Sequence, residues 1–599
     1  MITPKNHKDK AEFQKLNVSS YMELALIAPA RYEDFNLYKS PKPNELNVVE
    51  ICIDRVEKNS KFLKLHAKAW DRSVEVIIFN PSNFHFVNFK AANKFFVQTR
   101  VEYAFGKLRL LQPKIVNEVG KILPIYKTAI AQKSMMGLIK EYLRARDLEE
   151  EGLPKIYAKT LYDLHNPSSA NYDDALKNAL KALKFGEIYI FLKRLNSKKQ
   201  HFKASALLNG DERDFVKKLP FSLTDEQKKA IADIKSDLSK PLAARRVIMG
   251  DVGSGKTVVI FAAVMIALPK RSVLMVPTTI LAKQIFDEAR RLLPSHVKSV
   301  LITSGDKDVD LQNADFIIGT HVLLYTKLPK CDLVMIDEQH RFGTAQRDAI
   351  HKMVSESKEH PHFLQFSATP IPRTMSLIHS SLVSYSFIKQ TPYKKDIDTY
   401  IIGKNDFGKM LGHIENEIKE GRQSIIIYPL VEESEAYNYQ SIDEGRAFWE
   451  KRYKDVYVTH GKDKNKEAVL EEFNKSGSIL LATTVVEVGI SLPKLSTIII
   501  VGAEHLGLAT LHQLRGRVSR NGLKGYCYLY TNTLKNERLL EFANTKNGFD
   551  IAEIDLKYRQ SGDLLSGILQ HGAQFKWFSI KDDKAILLEV KKSLSGLAQ

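Results

Sequence analysis

The stretch "RVIMGDVGSGKTVVIFAAVMIAL", residues 246–268, decides the fold of the larger part of the chain. It contains an apolar strand, then the pattern G-x-x-x-x-G-K-[ST], then an apolar helix. Glycines let backbone N–H groups approach phosphate oxygens, and the amino end of the helix adds partial positive charge. The stretch therefore predicts a parallel α/β lobe with a phosphate-binding loop at the carboxyl edge of its sheet.

The loop itself predicts a nucleotide site. Lys256 is expected to reach the β- and γ-phosphates of ATP, and Thr257 to hold Mg²⁺. The predicted nucleotide-binding residues of the loop are Gly250, Asp251, Val252, Gly253, Ser254, Gly255, Lys256 and Thr257.

Apolar strands alternate with helical segments on the carboxyl side of this loop, which is typical of parallel sheets. Two series of such strands predict two tandem α/β lobes that meet near residue 390. The first series is "RVIM", "SVLMVP", "SVLIT", "DFIIGT", "LVMID" and "FLQFSA". The second is "SIIIYP", "VYVTH", "ILLATT", "TIIIVG" and "YCYLYT".

The amino-terminal third has a different pattern. Residues 1–44 and 130–200 favour helices, whereas residues 47–117 favour five short strands without a long helix. Such strands predict a small β-barrel, with an oligonucleotide-binding (OB) fold as the leading candidate. The predicted domains are 1–200, with the barrel at about 47–117, the first lobe at 201–390, the second lobe at 391–535, and a C-terminal segment at 536–599.

Composition narrows the class of protein. The chain has 89 Lys and Arg against 70 Asp and Glu, a formal charge of +19 that suits nucleic acid. A Lys-rich proteome would give the same excess. Cys52, Cys331 and Cys527 form no CxxC pair, so we expect a reduced compartment and no zinc cluster. Without a signal sequence or a membrane-spanning apolar run, a cytoplasmic protein with no membrane partner is predicted.

Two carboxylates end the strand in "LVMIDEQH", residues 333–340. Ligands of α/β lobes bind at that edge, so Asp337 is suited to Mg²⁺ and Glu338 to orienting the attacking water as general base. An ordinary acidic strand end is the alternative. The phosphate loop about eighty residues earlier favours the catalytic interpretation.

Two arginines in "HQLRGRVSR", residues 512–520, are candidates for transition-state stabilisation. Arg517 and Arg520 are three positions apart and would share one face of a helix. Presented by one lobe to a nucleotide held by the other, they could stabilise charge on the transferring phosphoryl group. Alone, such a pair is more often a solvated basic face.

The order of these motifs resembles that of superfamily-two helicases. Individual strings are similar to those of the RecG family of branched-DNA helicases, strongly from about residue 220 to 560 and more weakly in the amino-terminal third. The strings that carry the resemblance are "SLTDEQKKAI", "DEQHRFGTAQR", "SATPIPRT", "YPLVEESE" and "TLHQLRGRVSR". The resemblance implies two RecA-like motor lobes preceded by a wedge domain.

The resemblance also implies roles for further residues. Gln227 and Phe221 would read the adenine, while Gln513 and Gly489 would lie at the lobe interface. Residues implied to couple hydrolysis to DNA contact are Gln339, His340, Ser367 and Thr369. Residues implied to contact DNA in the motor are Pro277, Thr278, Thr279, Thr320, Thr483 and Thr484, with Arg559 and Gln560 in the tail.

In the wedge, the resemblance implies an aromatic stacked at the DNA junction, with Phe79 as the matching position and Phe84 as a second candidate. Barrel core is the alternative for Phe79. The implied activity is ATP-driven translocation on double-stranded DNA that remodels replication forks and Holliday junctions. A monomer in the bacterial nucleoid, with single-strand-binding protein as a candidate partner, is expected.

The chain departs from the family pattern at three places. Ser491 stands where the family has Asp, and Ser519 where it has Gly. The tail stretch "IAEIDLKYRQSGDLLSG", residues 551–567, resembles a translocation motif, yet it contains "RQSGD" where "RGPGE" is usual. Losing that Gly and Pro changes the stiffness of the loop.

Two other functions fit part of the sequence. A transcription–repair coupling translocase of the Mfd type shares the motor and the tail, but it carries an RNA-polymerase-binding module that does not fit here. A non-catalytic junction-binding protein would retain the motor only as a fold. The intact Lys256, Asp337 and Glu338 count against it.

Overall fold

The chain forms two compact units, one of residues 1–193 with 575–599 and one of residues 194–574. The structure, a computed structural model, describes residues 2–58, 62–104, 106–197, 201–304, 310–355, 358–369, 371–380, 382–392, 396–431, 439–484, 492–519, 522–558 and 575–596.

Strands and helices follow one another along both units. The strands are β1 Arg31–Asp34, β2 Leu46–Lys58, β3 Phe62–Ala69, β4 Arg72–Phe79, β5 Lys94–Ala104, β6 Lys107–Ile115, β7 Ile122–Ile125, β8 Lys203–Ala204, β9 Arg245–Gly250, β10 Ser272–Met275, β11 Ser299–Ile302, β12 Phe316–Gly319, β13 Leu333–Asp337, β14 Glu359–His360, β15 His362–Ser367, β16 Ser384–Ile388, β17 Ile397–Ile402, β18 Gln423–Ile427, β19 Val456–Thr459, β20 Ile479–Ala482, β21 Leu495–Val501 and β22 Gly525–Tyr530. The helices are α1 His7–Leu16, α2 Tyr21–Ala25, α3 Asn83–Asn88, α4 Gln132–Tyr142, α5 Ala145–Glu150, α6 Lys155–His165, α7 Tyr172–Ser197, α8 Arg213–Lys217, α9 Asp225–Leu238, α10 Lys256–Ala267, α11 Thr279–Leu292, α12 Thr344–Ser355, α13 Arg373–His379, α14 Phe407–Lys419, α15 Ile442–Arg452, α16 Lys466–Ser476, α17 Leu508–Arg515, α18 Glu537–Asn544, α19 Gly548–Tyr558 and a C-terminal helix Lys584–Gly596.

A closed barrel of five strands, in the order β2-β3-β4-β6-β5, forms the centre of the first unit. Along β2, the inward Ile51 and Ile53 are buried while the intervening Cys52 is partly exposed, as expected for alternating strand residues. The five strands predicted from the sequence match β2 to β6, so the predicted barrel is confirmed. Outside the barrel, β1 pairs with β7 in a small antiparallel sheet.

The C-terminal helix and the segment before it belong to the same unit as the barrel. The carboxylate of Glu187 on α7 accepts hydrogen bonds from the backbone N–H groups of residues 576, 577 and 578 at 2.7–2.9 Å. Lys184 Nζ lies 2.7 Å from Asp583. The single C-terminal segment expected at 536–599 is therefore divided, because α18 and α19 belong to the second unit.

The first lobe contains a seven-stranded sheet in the order β11-β12-β10-β13-β15-β9-β16, with every pair parallel. Helix α10 is apolar on all sides and is buried from Val258 to Ala267. It packs against α9 and the sheet, and this packing fixes the loop that precedes α10. The predicted strands of this lobe all form, and β16 is an additional edge strand.

The second lobe contains a six-stranded parallel sheet in the order β17-β22-β21-β18-β20-β19. Two apolar clusters fill its faces, one of them around Ile498, Leu511 and Leu529. The predicted tandem parallel α/β lobes are confirmed. Within the described ranges, none of the helices combines the length and the hydropathy needed to cross a bilayer.

Candidate functional site

The strand order of the first lobe divides its carboxyl edge into two regions. Strands β9, β15 and β13 are neighbours, and the phosphate loop, the "SATP" motif and the "DEQH" motif follow them. Strands β10 and β12 lie on the other side of β13. The predicted DNA-contact residues Thr278 and Thr320 follow these two strands. The fold therefore groups the predicted nucleotide residues together and places the predicted DNA residues of this lobe beside them.

The phosphate loop has the backbone that its glycines predict. Gly253 and Gly255 both have φ of +76°, in the left-handed region that glycine adopts without strain. Lys256 Nζ donates to the carbonyl oxygens of Gly250 at 2.8 Å and Asp251 at 3.3 Å. A bound triphosphate would compete with these carbonyls for the ammonium group.

The other residues of the loop are largely enclosed. Val252 and Ser254 are buried, and Thr257 is half-buried in the first turn of α10. Ser254 Oγ, although inaccessible to solvent, has no hydrogen-bond partner among the described residues. Such an orphaned polar atom is expected where a ligand completes the hydrogen bonding.

Asp337 ends β13 beside this loop. Burial and the neighbouring charge of Glu338 raise the pKa of its carboxyl group to about 7, while the charge of Lys256 opposes the shift. Asp337 Oδ1 is inaccessible and has no hydrogen-bond partner in the described part of the chain. An enclosed carboxylate beside a phosphate loop fits a divalent cation, which would favour the charged form.

Glu338 connects two of the motifs. It has a left-handed φ of +51°, an uncommon conformation for a residue other than glycine and one often found at functional sites. Its Oε1 accepts a hydrogen bond from the backbone N–H of Ala368 at 2.7 Å. His340 Nδ1 lies 3.4 Å from its Oε2. The candidate general base is thus held between the ends of β13 and β15.

The remaining coupling residues also connect the strand ends. Gln339 Oε1 accepts a hydrogen bond from Gln365 Nε2 on β15. Ser367 Oγ and Thr369 Oγ1 lie 2.8 Å apart in the "SATP" motif. The bond between Gln339 and Gln365 therefore joins the segment after β13 to β15.

The adenine candidates differ in their surroundings. Gln227 is only 2% exposed, and its Nε2 donates to the carbonyl of Ser254 at 2.8 Å. Its Oε1 accepts from the backbone N–H of Thr224 at 2.9 Å, as in a capping box. Phe221 is 39% exposed on the preceding segment. Gln227 therefore fixes the phosphate loop through the carbonyl of Ser254. The ring of Phe221 is accessible to solvent.

The two lobes meet at the nucleotide side of the first lobe. Arg341 Nη2, just beyond the "DEQH" motif, donates to Gln513 Oε1 of the second lobe at 2.6 Å. Gln513 is buried at this interface. A second link joins the phosphate loop to α17, where His512 Nε2 lies 2.5 Å from Asp251 Oδ1.

The expectation that Arg517 lies on a helix is wrong. Helix α17 ends at Arg515, and Gly516 is its C-cap. Ser519 then has a left-handed φ of +63°, which a continuing helix could not contain. Arg517 is therefore a buried residue of the turn that follows the helix.

The predicted DNA residues of the motor lie just beyond strand ends. Thr278 caps α11, since its side chain accepts from the N–H of Leu281. Thr320 follows β12 and is 4% exposed. Of the predicted DNA-contact residues, Pro277, Thr278 and Thr279 follow β10, Thr320 follows β12, and Thr483 and Thr484 follow β20.

The two wedge candidates are exposed. Phe79 ends β4 with 48% of its surface accessible, and Phe84 on α3 is 57% accessible. The amide of Gln112 holds the backbone of Phe79 from both sides, accepting from its N–H at 3.0 Å and donating to its C=O at 3.2 Å. The alternative that Phe79 belongs to the barrel core is wrong.

Several predicted residues lie outside the described part of the chain. They are Gly489, Ser491, Arg520, Arg559 and Gln560.

Sequence reasoning missed five residues that join the elements of this site. Arg341 and His512 each adjoin a predicted motif residue, and that adjacency was an available signal. Gln365 lies on β15, two residues before Ser367, and contacts Gln339 within the first lobe. Gly548 and Phe549 lie just before the stretch that resembles a translocation motif, but their contacts with the first lobe depend on how the two lobes pack. Gly548 N–H donates to Asp251 Oδ2 at 3.0 Å.

Two family models match the motor lobes. The model described as DEAD/DEAH box helicase matches residues 224–378. The model described as Helicase conserved C-terminal domain matches residues 407–522.

Full-length relatives match nearly the whole chain. The ATP-dependent DNA helicase RecG of Helicobacter pylori strain J99 is 43% identical over 598 residues, covering 96% of this chain and 96% of its own. RecG of Aquifex aeolicus is 32% identical, covering 93% of this chain and 78% of its own. A solved structure of RecG bound to a three-way DNA junction is similar to 99% of this chain and to 84% of that chain, at 26% identity and a TM-score of 0.57.

Ser519 gives a prediction about stability. It has a left-handed φ, and its buried Oγ has no hydrogen-bond partner among the described residues. Ser519→Gly removes both costs and should raise the free energy of unfolding of the second unit by roughly 1 kcal/mol, since left-handed strain outweighs the entropy that glycine adds. Chemical denaturation followed by near-UV circular dichroism measures the change.

The matched control is Ser519→Ala, which removes the hydroxyl group but keeps the Cβ in the strained conformation. The expected order of stability is Gly above Ala above Ser. A glycine variant that is less stable than the alanine variant would contradict the strain argument.

Proposed function

The chain belongs to the RecG family of ATP-dependent DNA helicases, and from this membership we propose that it couples ATP hydrolysis to movement along double-stranded DNA and so remodels replication forks and Holliday junctions. The bond between Arg341 and Gln513 supports this function most directly. It joins the "DEQH" segment of the first lobe to the segment of the second lobe that contains Arg517. Hydrolysis at such a site depends on both lobes.

The nucleotide residues have separate roles in the proposal. Lys256 would bind the β- and γ-phosphates, Gln227 and Phe221 the adenine, and Glu338 would orient the attacking water. Arg517, together with Arg520, would stabilise the charge that develops on the phosphoryl group. The contact of Glu338 with the backbone N–H of Ala368 favours this assignment, because it fixes the carboxylate in place.

Mg²⁺ fits the donors that this site offers. Thr257 and Asp337 would hold the ion, and the solvent-inaccessible Oδ1 of Asp337 without a hydrogen-bond partner among the described residues is the group that a cation would satisfy. When bound, the ion neutralises charge on the β- and γ-phosphate oxygens. The raised pKa of Asp337 reflects the cost of an enclosed carboxylate that lacks such a partner.

DNA recognition would use phosphate contacts in the motor and stacking in the barrel. Hydroxyl groups and backbone N–H groups at strand ends bind phosphates without reading sequence, which suits a translocase. An exposed aromatic such as Phe79 can stack on a splayed base whatever its identity. We propose that the protein acts as a monomer on branched duplex DNA, with single-strand-binding protein as a candidate partner.

ATP hydrolysis stimulated by forked DNA tests this function. Lys256→Ala should lower the stimulated rate by about 100-fold or more, because it removes the cation that binds the transferring phosphate. Lys270→Ala replaces an exposed lysine of the same lobe and should leave the rate unchanged. The measurement compares forked DNA, linear duplex, RNA and no nucleic acid. Equal turnover without DNA, or stimulation by RNA alone, would contradict the proposed function.

Phe79→Ala tests the role of the barrel. It should slow unwinding of a forked substrate about tenfold, because base stacking is worth roughly 1–3 kcal/mol. Hydrolysis stimulated by linear duplex should change little. Tyr103→Ala is the matched control, since this aromatic of the same barrel is also exposed. Equal slowing in both variants, or a parallel loss of duplex-stimulated hydrolysis, would show that Phe79 is not the wedge residue.

A further inference from the structure

The first turn of α19 contacts the phosphate loop directly. The carboxylate of Asp251 accepts three hydrogen bonds, from Val252 N–H at 2.7 Å, from His512 Nε2 at 2.5 Å and from Gly548 N–H at 3.0 Å. His512 belongs to the second lobe, and Gly548 is the first residue of α19. One side chain of the phosphate loop therefore binds both the second lobe and α19.

Only glycine fits at the start of α19. A Cβ atom on Gly548 would lie 2.7 Å from His512 Nε2 and 3.0 Å from Asp251 Oδ1. Both distances are shorter than a van der Waals contact between these atoms. The absence of a side chain is therefore what lets the helix approach Asp251 closely enough for its N–H group to donate.

The next residue anchors α19 in the first lobe. Phe549 is 1% exposed and packs with Val247 and Met249 of β9, the strand that leads into the phosphate loop. Its ring meets that of Phe387 edge-on at 5.7 Å, and Lys389 Nζ lies over it at 5.6 Å. The buried ring therefore stabilises the first turn of α19 against β9.

The rest of α19 packs on the second lobe. Ile551 is buried in the apolar cluster of that lobe, and Ile554 packs against the same cluster. Arg515 fixes the segment before α19, since its guanidinium donates to the carbonyls of Phe542 at 3.2 Å and Thr545 at 2.7 Å. Helix α19 is thus held by the first lobe at its amino end and by the second lobe along its body.

Lys256 connects the nucleotide site to the contacts of Asp251. Its ammonium group donates to the carbonyl of Asp251 in this structure, and phosphate oxygens would compete for it. Binding of a triphosphate would therefore release a restraint on the residue whose carboxylate holds Gly548. Phe549 packs on β9 of the first lobe, and Ile551 packs on the second lobe. A change in the distance between the lobes would therefore also displace α19 from one of its two packing surfaces.

We propose that Gly548 and Phe549 are positioning residues that transmit the nucleotide state of the phosphate loop to α19. The inference rests on the proposed assignment of that loop to ATP. Neither residue touches a reacting atom. They set the fraction of hydrolysis events that produce movement along DNA, and they leave the rate of hydrolysis unchanged.

The test uses the full chain carrying Phe549→Ala. DNA-free hydrolysis should stay within about twofold of wild type, while fork unwinding per ATP hydrolysed should fall at least tenfold. Phe549→Leu, which keeps an apolar side chain in the same cluster, should recover most of the unwinding. Leu540→Ala, at an exposed position of α18, is the control and should behave as wild type.

A second measurement needs no variant. Hydrogen exchange of the peptide 546–556 in wild-type protein should be at least threefold faster with AMP-PNP than with ADP, because the triphosphate analogue draws Lys256 away from Asp251 and loosens the hold on Gly548. Exchange that is independent of nucleotide, or Phe549→Ala that unwinds as efficiently as wild type, would overturn the inference. Failure of the proposed function is distinguishable, because wild-type hydrolysis would then not respond to forked DNA at all.

Discussion

A phosphate loop can act only where its backbone N–H groups face outward from the carboxyl edge of a parallel sheet, and the motor is arranged around that requirement. The buried, wholly apolar α10 fixes the loop against α9 and the sheet. Gln227 also fixes the loop, because its side chain donates to the carbonyl of Ser254. With the loop fixed, the neighbouring strands β13 and β15 bring Asp337, Glu338 and Ser367 to the same edge.

The second lobe contacts the first at the phosphate loop and beside the "DEQH" motif. Gln513 bonds to Arg341, and His512 bonds to Asp251. The left-handed Glu338 links the strand end that bears Asp337 to the "SATP" loop through Ala368. In the proposed mechanism, these contacts would carry a change at the γ-phosphate to the second lobe and to the "SATP" loop.

Much of this could be predicted from the sequence, since central strands are continuous apolar runs and the phosphate loop has fixed spacing. Strands β16, "SYSFI", and β17, "IDTYII", were missed because polar residues interrupt their apolar pattern. Arg517 was placed on a helix from spacing alone, whereas α17 ends at Arg515. The contacts of Gly548 and Phe549 could not be predicted, because they depend on how the two lobes pack.

In the proposed mechanism the second lobe supplies part of the catalytic site through Arg517. Nucleotide affinity and fork-stimulated hydrolysis, measured side by side for Arg517→Ala in the full chain, test this role. A group that stabilises the transition state alone should leave the dissociation constant for AMP-PNP nearly unchanged while the stimulated rate falls by about 1000-fold. Hydrolysis at the wild-type rate in this variant would show that Arg517 of the second lobe is not part of the catalytic site.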